Sequence, residues 1–152
     1  MVVDSLVDRL QRGDARSVAR AITLVEEGST EGTTLLERLD RQRIGQALVV
    51  GMTGPPGAGK STLCGQLIGQ LRDRDLRVGI IAIDPSSPLT GGAILGDRVR
   101  MMRHALDPGV MVRSMATRGR LGGLCSAAGA AVRIMAASGC RVVLLETVGV
   151  GQ

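Results

Sequence analysis

Gly54-Pro55-Pro56-Gly57-Ala58-Gly59-Lys60-Ser61 is the stretch from which this chain is best read. It meets the spacing G-x-x-x-x-G-K-[ST] at every fixed position. The apolar run Ala47-Leu48-Val49-Val50, ending at Gly51, precedes it and suits a buried parallel strand. Residues 60–73 follow it with the pattern of a helix. The chemistry requires these residue types. Glycines let the backbone curl until its N–H groups point inward at phosphate oxygens. A helix starting near Lys60 aims its positive end at the same anion. Lys60 supplies a point charge for the β- and γ-phosphates, and the Ser61 hydroxyl can ligate Mg²⁺. Of 19 basic residues, 18 are arginine, and the one lysine fills the slot that calls for a compact ammonium. The motif and its flanks read as a nucleoside-triphosphate-binding loop.

Outward from the loop, Val78-Gly79-Ile80-Ile81-Ala82-Ile83 and Arg141-Val142-Val143-Leu144-Leu145-Glu146 are two further buried strands, and Gly109 to Arg113 a short one. Helical patterns occupy 97–106 and 123–138. Strands alternating with helices give an α/β fold, a mostly parallel sheet with helices on both faces. A phosphate loop needs a metal with oxygen ligands, and these collect at the carboxyl ends of strands. Asp84 directly follows one strand, and Glu146 ends another ahead of the loop Thr147-Val148-Gly149-Val150-Gly151. Asp97 follows Gly91-Gly92-Ala93-Ile94-Leu95-Gly96, a stretch able to fold over a nucleotide. Asp84 could equally cap a turn at Pro85, and Asp97 its own helix. His104, Arg98, Arg100 and Arg103 read as solvated helix positions, Met101 and Met102 as packing residues, and Gly122-Gly123 as a second loop or a helix start.

Residues 4 to about 41 read as helices. Leu6, Val7 and Leu10 share a face, Asp14 caps a second helix carrying Val18, Ala21, Ile22 and Val25, Gly28 ends it, and Leu35, Leu36 and Leu39 mark a third. This segment, 1–45, is expected to be a helical arm ahead of the nucleotide-binding part, 46–152.

Composition sets outer limits. Hydrophobic residues make up 44% and charged ones 22%, ordinary for a globular chain of 152 residues with a single core. Phe, Tyr and Trp are absent, which removes the stacking platform for single-stranded nucleic acid, so the net charge of +5 is weak evidence for a nucleic-acid partner. Cys64, Cys125 and Cys140 form no Cys-x-x-Cys pair and read as buried thiols in a reducing compartment. The N-terminus lacks the features of a secretory or transit signal, and no apolar run is long enough for a membrane span, so a cytoplasmic location is expected.

Together these residues resemble the ArgK/MeaB (MMAA-like) family of SIMIBI-class P-loop GTPases, accessory proteins of cobalamin-dependent methylmalonyl-CoA mutase. The resemblance runs through Ala19-Arg20-Ala21-Ile22-Thr23-Leu24-Val25-Glu26 and the loop Gly54 to Thr62. It continues through Asp84-Pro85-Ser86-Ser87, Gly91-Gly92, Leu95-Gly96-Asp97, Arg100-Met101, Arg118-Gly119 and Leu121-Gly122-Gly123, and ends at Glu146-Thr147-Val148-Gly149-Val150-Gly151-Gln152. It implies GTP binding and hydrolysis with Mg²⁺ and GDP as product. Gly54, Pro55, Pro56, Gly57, Ala58, Gly59, Lys60, Ser61 and Thr62 would hold nucleotide. Ser61, Asp84, Asp97 and Glu146 would serve the metal, and Lys60, Asp97 and Glu146 catalysis. It also implies a homodimeric metallochaperone that loads, protects or reactivates the mutase.

Three departures stand out. Val112-Arg113-Ser114-Met115-Ala116 replaces a proline-bearing stretch, and Cys140-Arg141 replaces aromatic positions. No Asn-Lys-x-Asp guanine-reading motif occurs before Gln152, nor a C-terminal dimerisation arm. The chain is therefore expected to be a fragment lacking the C-terminal part of the fold, with Ala47 to Gly51 an exposed apolar edge, and marginally stable. The competing functional readings are an ATP-dependent kinase or ATPase of lysine, arginine and ornithine transport, and a non-catalytic remnant that binds a partner through its helical arm.

Overall fold

The computed structural model describes residues 2–55, 57–84, 104, 106–116 and 126–147. Four helices come first: α1 Val2–Gln11, α2 Ala15–Glu26, α3 Thr30–Glu37 and α4 Arg41–Gln46. Then follow β1 Leu48–Met52, α5 Lys60–Arg72, β2 Val78–Asp84, β3 Val110–Ala116, α6 Ser126–Ala137 and β4 Val142–Thr147.

Short polar side chains start the helices of the arm. The Asp14 carboxylate accepts hydrogen bonds from the backbone N–H of Ser17 (2.8 Å) and its hydroxyl (2.5 Å), which hold the carboxyl below its usual range. Ser29 Oγ accepts from Gly32 N–H at 3.0 Å, and Asp40 from Gln42 and Arg43. As expected, α2 ends just before Gly28, which sits at φ +66°. Helix α4 is not foreshadowed by hydrophobic periodicity, and β3 runs three residues beyond Arg113. Of the helix expected over 97–106, only 104 and 106 are among the described residues, both in turns.

The sheet has the order β1-β4-β2-β3, with every pair parallel. Its two faces sort by alternation. Val142 and Leu144 of β4, Val78 and Ile80 of β2, and Val110 of β3 cluster with Cys64 and Ile68 of α5. Val143, Leu145, Ile81, Ile83, Met111 and Met115 face the other way, into a cluster with α6 and with Leu10, Ile22 and Leu35 of the arm. The arm and one sheet face thus share a single core.

Arginines fasten the two together, mostly through backbone carbonyls. Arg43 donates to the carbonyls of Gln11 (2.6 Å) and Ala137 (3.4 Å), and Arg133 to that of Leu36 (3.1 Å). Arg77 bridges the carbonyls of Gly13 (3.0 Å) and Ser138 (3.3 Å). Gly13 lies at φ +85°, a conformation that favours glycine, and a Cβ there would also push aside the Arg77 guanidinium. Arg113 of β3 pairs with Glu26 of α2 and donates to Thr23 Oγ1.

β1 is an outer strand, hydrogen-bonded among the described strands to β4 alone, with Leu48 61% and Val49 48% exposed. The run read from its apolar character as a buried strand is thus half exposed, and the apolar edge expected at Ala47 to Gly51 is found among the described strands.

Ile22, on α2, is 1% exposed within the shared core. Ile22→Ala is expected to cost about 2–5 kcal/mol by urea titration. Because the core is shared, loss of helical circular dichroism and exposure of the buried Cys140 thiol to a thiol reagent should coincide along the titration. Melting of the helices before Cys140 becomes reactive would contradict the shared core.

Candidate functional site

The carboxyl ends of all four strands lie along one edge of the sheet, and the glycine-rich loop leaves it from β1. Gly54, Gly57 and Gly59 have φ of +142°, +79° and +84°. The last two lie in the left-handed region that side-chain-bearing residues avoid, which explains glycine at those positions. Gly57, Ala58 and Gly59 are exposed. Pro56 lies outside the described residues. Gly59 begins α5 with no capping side chain, and the first turn carries no acid. In contrast to α2, α3 and α4, no side chain of this helix satisfies its leading N–H groups, which suits an external anion.

Lys60 turns back onto its own loop, its Nζ donating to the carbonyls of Gly54 (2.7 Å) and Pro55 (2.9 Å). Ser61 Oγ donates to Glu146 Oε1 at 2.9 Å, joining residues 85 positions apart. Glu146 shares a row with Met52 of β1 and Ala82 of β2, on the face that α5 covers. It is 2% exposed, and its Oε2 is buried with no hydrogen-bond partner among the described residues. Thr62 lies at the exposed start of α5.

Asp84 closes β2 at the same edge, its backbone in register with Ala116. Asp97 lies outside the described residues, as do residues 85–103, 117–125 and 148–152. The geometry therefore brings together Gly54, Pro55, Gly57, Ala58, Gly59, Lys60, Ser61, Thr62 and Glu146, and sets the Asp84 backbone at the same sheet edge. His104 is half-buried in a turn, and its carbonyl accepts from Asp107 N–H at 3.0 Å.

The oxygens of Ser61 and Glu146 fit a small divalent cation. A hydroxyl beside a carboxylate with an unanswered buried oxygen is a hard donor set, of the kind Mg²⁺ uses when phosphates and water supply its other ligands. Among the described residues no three His, Cys, Asp or Glu side chains converge, so an all-protein metal cage is not found there. No helix among them is long and apolar enough to cross a membrane.

Cys64, read from the sequence as a buried thiol, is buried as expected, but its place beside Glu146 was not read. Cys64, one turn beyond Ser61, is 1% exposed, and burial, with the Glu146 carboxylate second, pushes its thiol from 9.0 up to about 11. Burial raises Cys140 as well, against the opposing effects of Ser138 and Arg77. The unfolded chain releases the Cys64 proton near 9.0, while the folded chain keeps it to about 11. Its contribution to stability is thus complete below the lower value and is lost as pH rises through the upper one. With no tyrosine and a single lysine, few other groups titrate there. The melting temperature is expected to fall between about pH 9 and 11, and Cys64→Ala should flatten that slope. An unchanged slope in the variant would remove Cys64 from the account.

Comparison with known proteins gives a consistent result. The family model described as Methylmalonyl Co-A mutase-associated GTPase MeaB matches residues 18–152. A protein of Pyrococcus horikoshii named as a GTPase is 55% identical over 150 residues, covering 99% of this chain and 47% of the relative. GTPase ArgK of Escherichia coli is 42% identical over 96% of this chain and 45% of its own length. The mitochondrial methylmalonic aciduria type A homolog of Mus musculus is 37% identical, over 99% of this chain and 39% of its own. A crystal structure of a LAO/AO transport system kinase superposes with a TM-score of 0.64 at 32% identity, over 98% of this chain and 44% of that one. The chain spans less than half the length of each of these relatives.

Proposed function

Because the chain belongs to the MeaB family of methylmalonyl-CoA mutase-associated GTPases, we propose that residues 46–152 bind GTP and GDP at the loop Gly54 to Thr62, with Mg²⁺ held by Ser61 and Glu146. The observation that carries this reading is the glycine loop opening onto the uncapped start of α5, with Ser61 on the buried Glu146 carboxylate. Asp84 and Asp97 are proposed as further metal-side carboxylates, and Lys60, Asp97 and Glu146 as the catalytic set.

In this reading the leading N–H groups of α5 and those of the loop bind phosphate oxygens. Lys60 exchanges the carbonyls of Gly54 and Pro55 for phosphate, a stronger, charge-assisted contact. Bound Mg²⁺ would offset the charge of the phosphates. Glu146 and Ser61 hold the cation from the protein side, and hydrolysis is attack by water on a positioned phosphoryl group, with electrostatic stabilisation as the main source of rate.

The reading extends to partners. We assign the 1–45 helices to a supporting arm, and the protein to the cytoplasmic homodimeric metallochaperones of a cobalamin-dependent methylmalonyl-CoA mutase. A second reading is an ATP-dependent kinase or ATPase of lysine, arginine and ornithine transport, favoured by the kinase name of the solved structure.

Fluorescent GDP and GTP analogues test the assignment directly. Lys60→Ala is expected to weaken their binding at least 100-fold, and unchanged affinity would sink it. Unlabelled GTP should displace the probe better than ATP, and the reverse order would favour the kinase reading.

A further inference from the structure

Glu146 is a buried carboxyl group with one oxygen left without a partner among the described residues. It is 2% exposed; Oε1 accepts from Ser61, and Oε2 has no hydrogen-bond partner among the described residues. Its row neighbours, Met52 and Ala82, are apolar, and Cys64, Ile68 and Leu144 line the same side of the sheet. Lys60 does not answer it, because the ammonium is held by the Gly54 and Pro55 carbonyls. The first turn of α5 contributes only a partial positive charge, about half a unit. A carboxylate buried without a full positive partner is a costly arrangement. The oxygens at hand, one from a hydroxyl and one or two from the carboxylate, are those a hard divalent cation selects.

We propose that Ser61 and Glu146 take up a divalent cation before any nucleotide arrives, so that the phosphate loop meets its ligand with the cation already seated. The proposal rests on the reading of the loop given above, and it concerns the order of binding at that site. Its driving force is satisfaction of the buried Glu146 Oε2, whose want of a partner does not depend on phosphate. The cation therefore stabilises the nucleotide-free chain, and Glu146 sets its affinity more than Ser61 does.

The test is to titrate Mn²⁺ into the full chain, stripped of metal and nucleotide, in phosphate-free buffer, following free Mn²⁺ by electron paramagnetic resonance. One Mn²⁺ per chain, displaced by Mg²⁺ and bound at least tenfold more weakly by Glu146→Gln, is the expected result. Uptake only after GDP is added would overturn the proposal while leaving the nucleotide site standing. Failure of a fluorescent GDP analogue to bind, with or without Mn²⁺, would instead overturn the reading of the site. Thermal melting gives a second readout that folding defects do not mimic. In EDTA, Glu146→Gln should melt at or above the parent chain, and added Mg²⁺ should raise the parent alone. A variant that melts below the parent in EDTA, or one that gains equally from Mg²⁺, would count against the proposal.

Discussion

β4 is hydrogen-bonded on both sides, to β1 through the register Val50 to Leu144 and to β2 through Ile80 to Leu144. That double pairing buries Val142, Val143, Leu144 and Leu145 on both faces of the strand. It also carries the last charged residue of the strand into the interior. Glu146 lies one alternation step beyond Leu144, on the face roofed by α5, and meets Ser61 because α5 starts there. The loop geometry, the Ser61 contact and the burial of Cys64 all depend on β4 holding this central position.

The basic side chains divide the work by chemistry. Arg43, Arg77 and Arg133 reach across the molecule to backbone carbonyls, and Arg72 ties the far end of α5 to Asp107 at 2.8 Å and to the Leu76 carbonyl at 2.9 Å. A planar fork with five donors can hold two acceptors from different elements at once. Lys60 has a different task. Its compact ammonium sits on two carbonyls of its own loop, and a point charge on a flexible stem can change partners in a way a two-armed clamp cannot.

Much of this was legible beforehand. The loop, α5 and the strands at 78–84 and 142–147 follow from a spaced motif and from unbroken apolar runs, the two signals that single sequences carry most strongly. Asp14 was readable as a cap because a short polar side chain stood directly before an apolar periodicity. Helix α4 was not, since Arg41–Gln46 holds one apolar residue, Ile44, and six residues are too few to show a period. The full length of β3 was hidden because Arg113 and Ser114 interrupt it, and the Arg113 guanidinium pairs with Glu26, a partner 87 residues away. The sequence already set Ser61 and Glu146 at one metal site, but the burial of Glu146 on the α5 face was hidden for a related reason. An apolar strand shows no alternation, so nothing in Val142–Leu145 tells which face the next residue will take.

The position of β1 has a bearing on how the molecule breathes. Protection of backbone amides against exchange with solvent follows local opening, which is easiest where one side of a strand lacks a partner. Among the described strands β1 has a partner on one side only, and its apolar side chains at 48 and 49 are turned partly to water. The free energy needed to lift β1 is therefore smaller than that needed to open β4. The glycine loop is strung between this outer strand and α5, which meets the sheet through the buried Cys64 and Ile68. A lift of β1 would carry the Met52 end of the loop with it, while Lys60 and Ser61 belong to the helix.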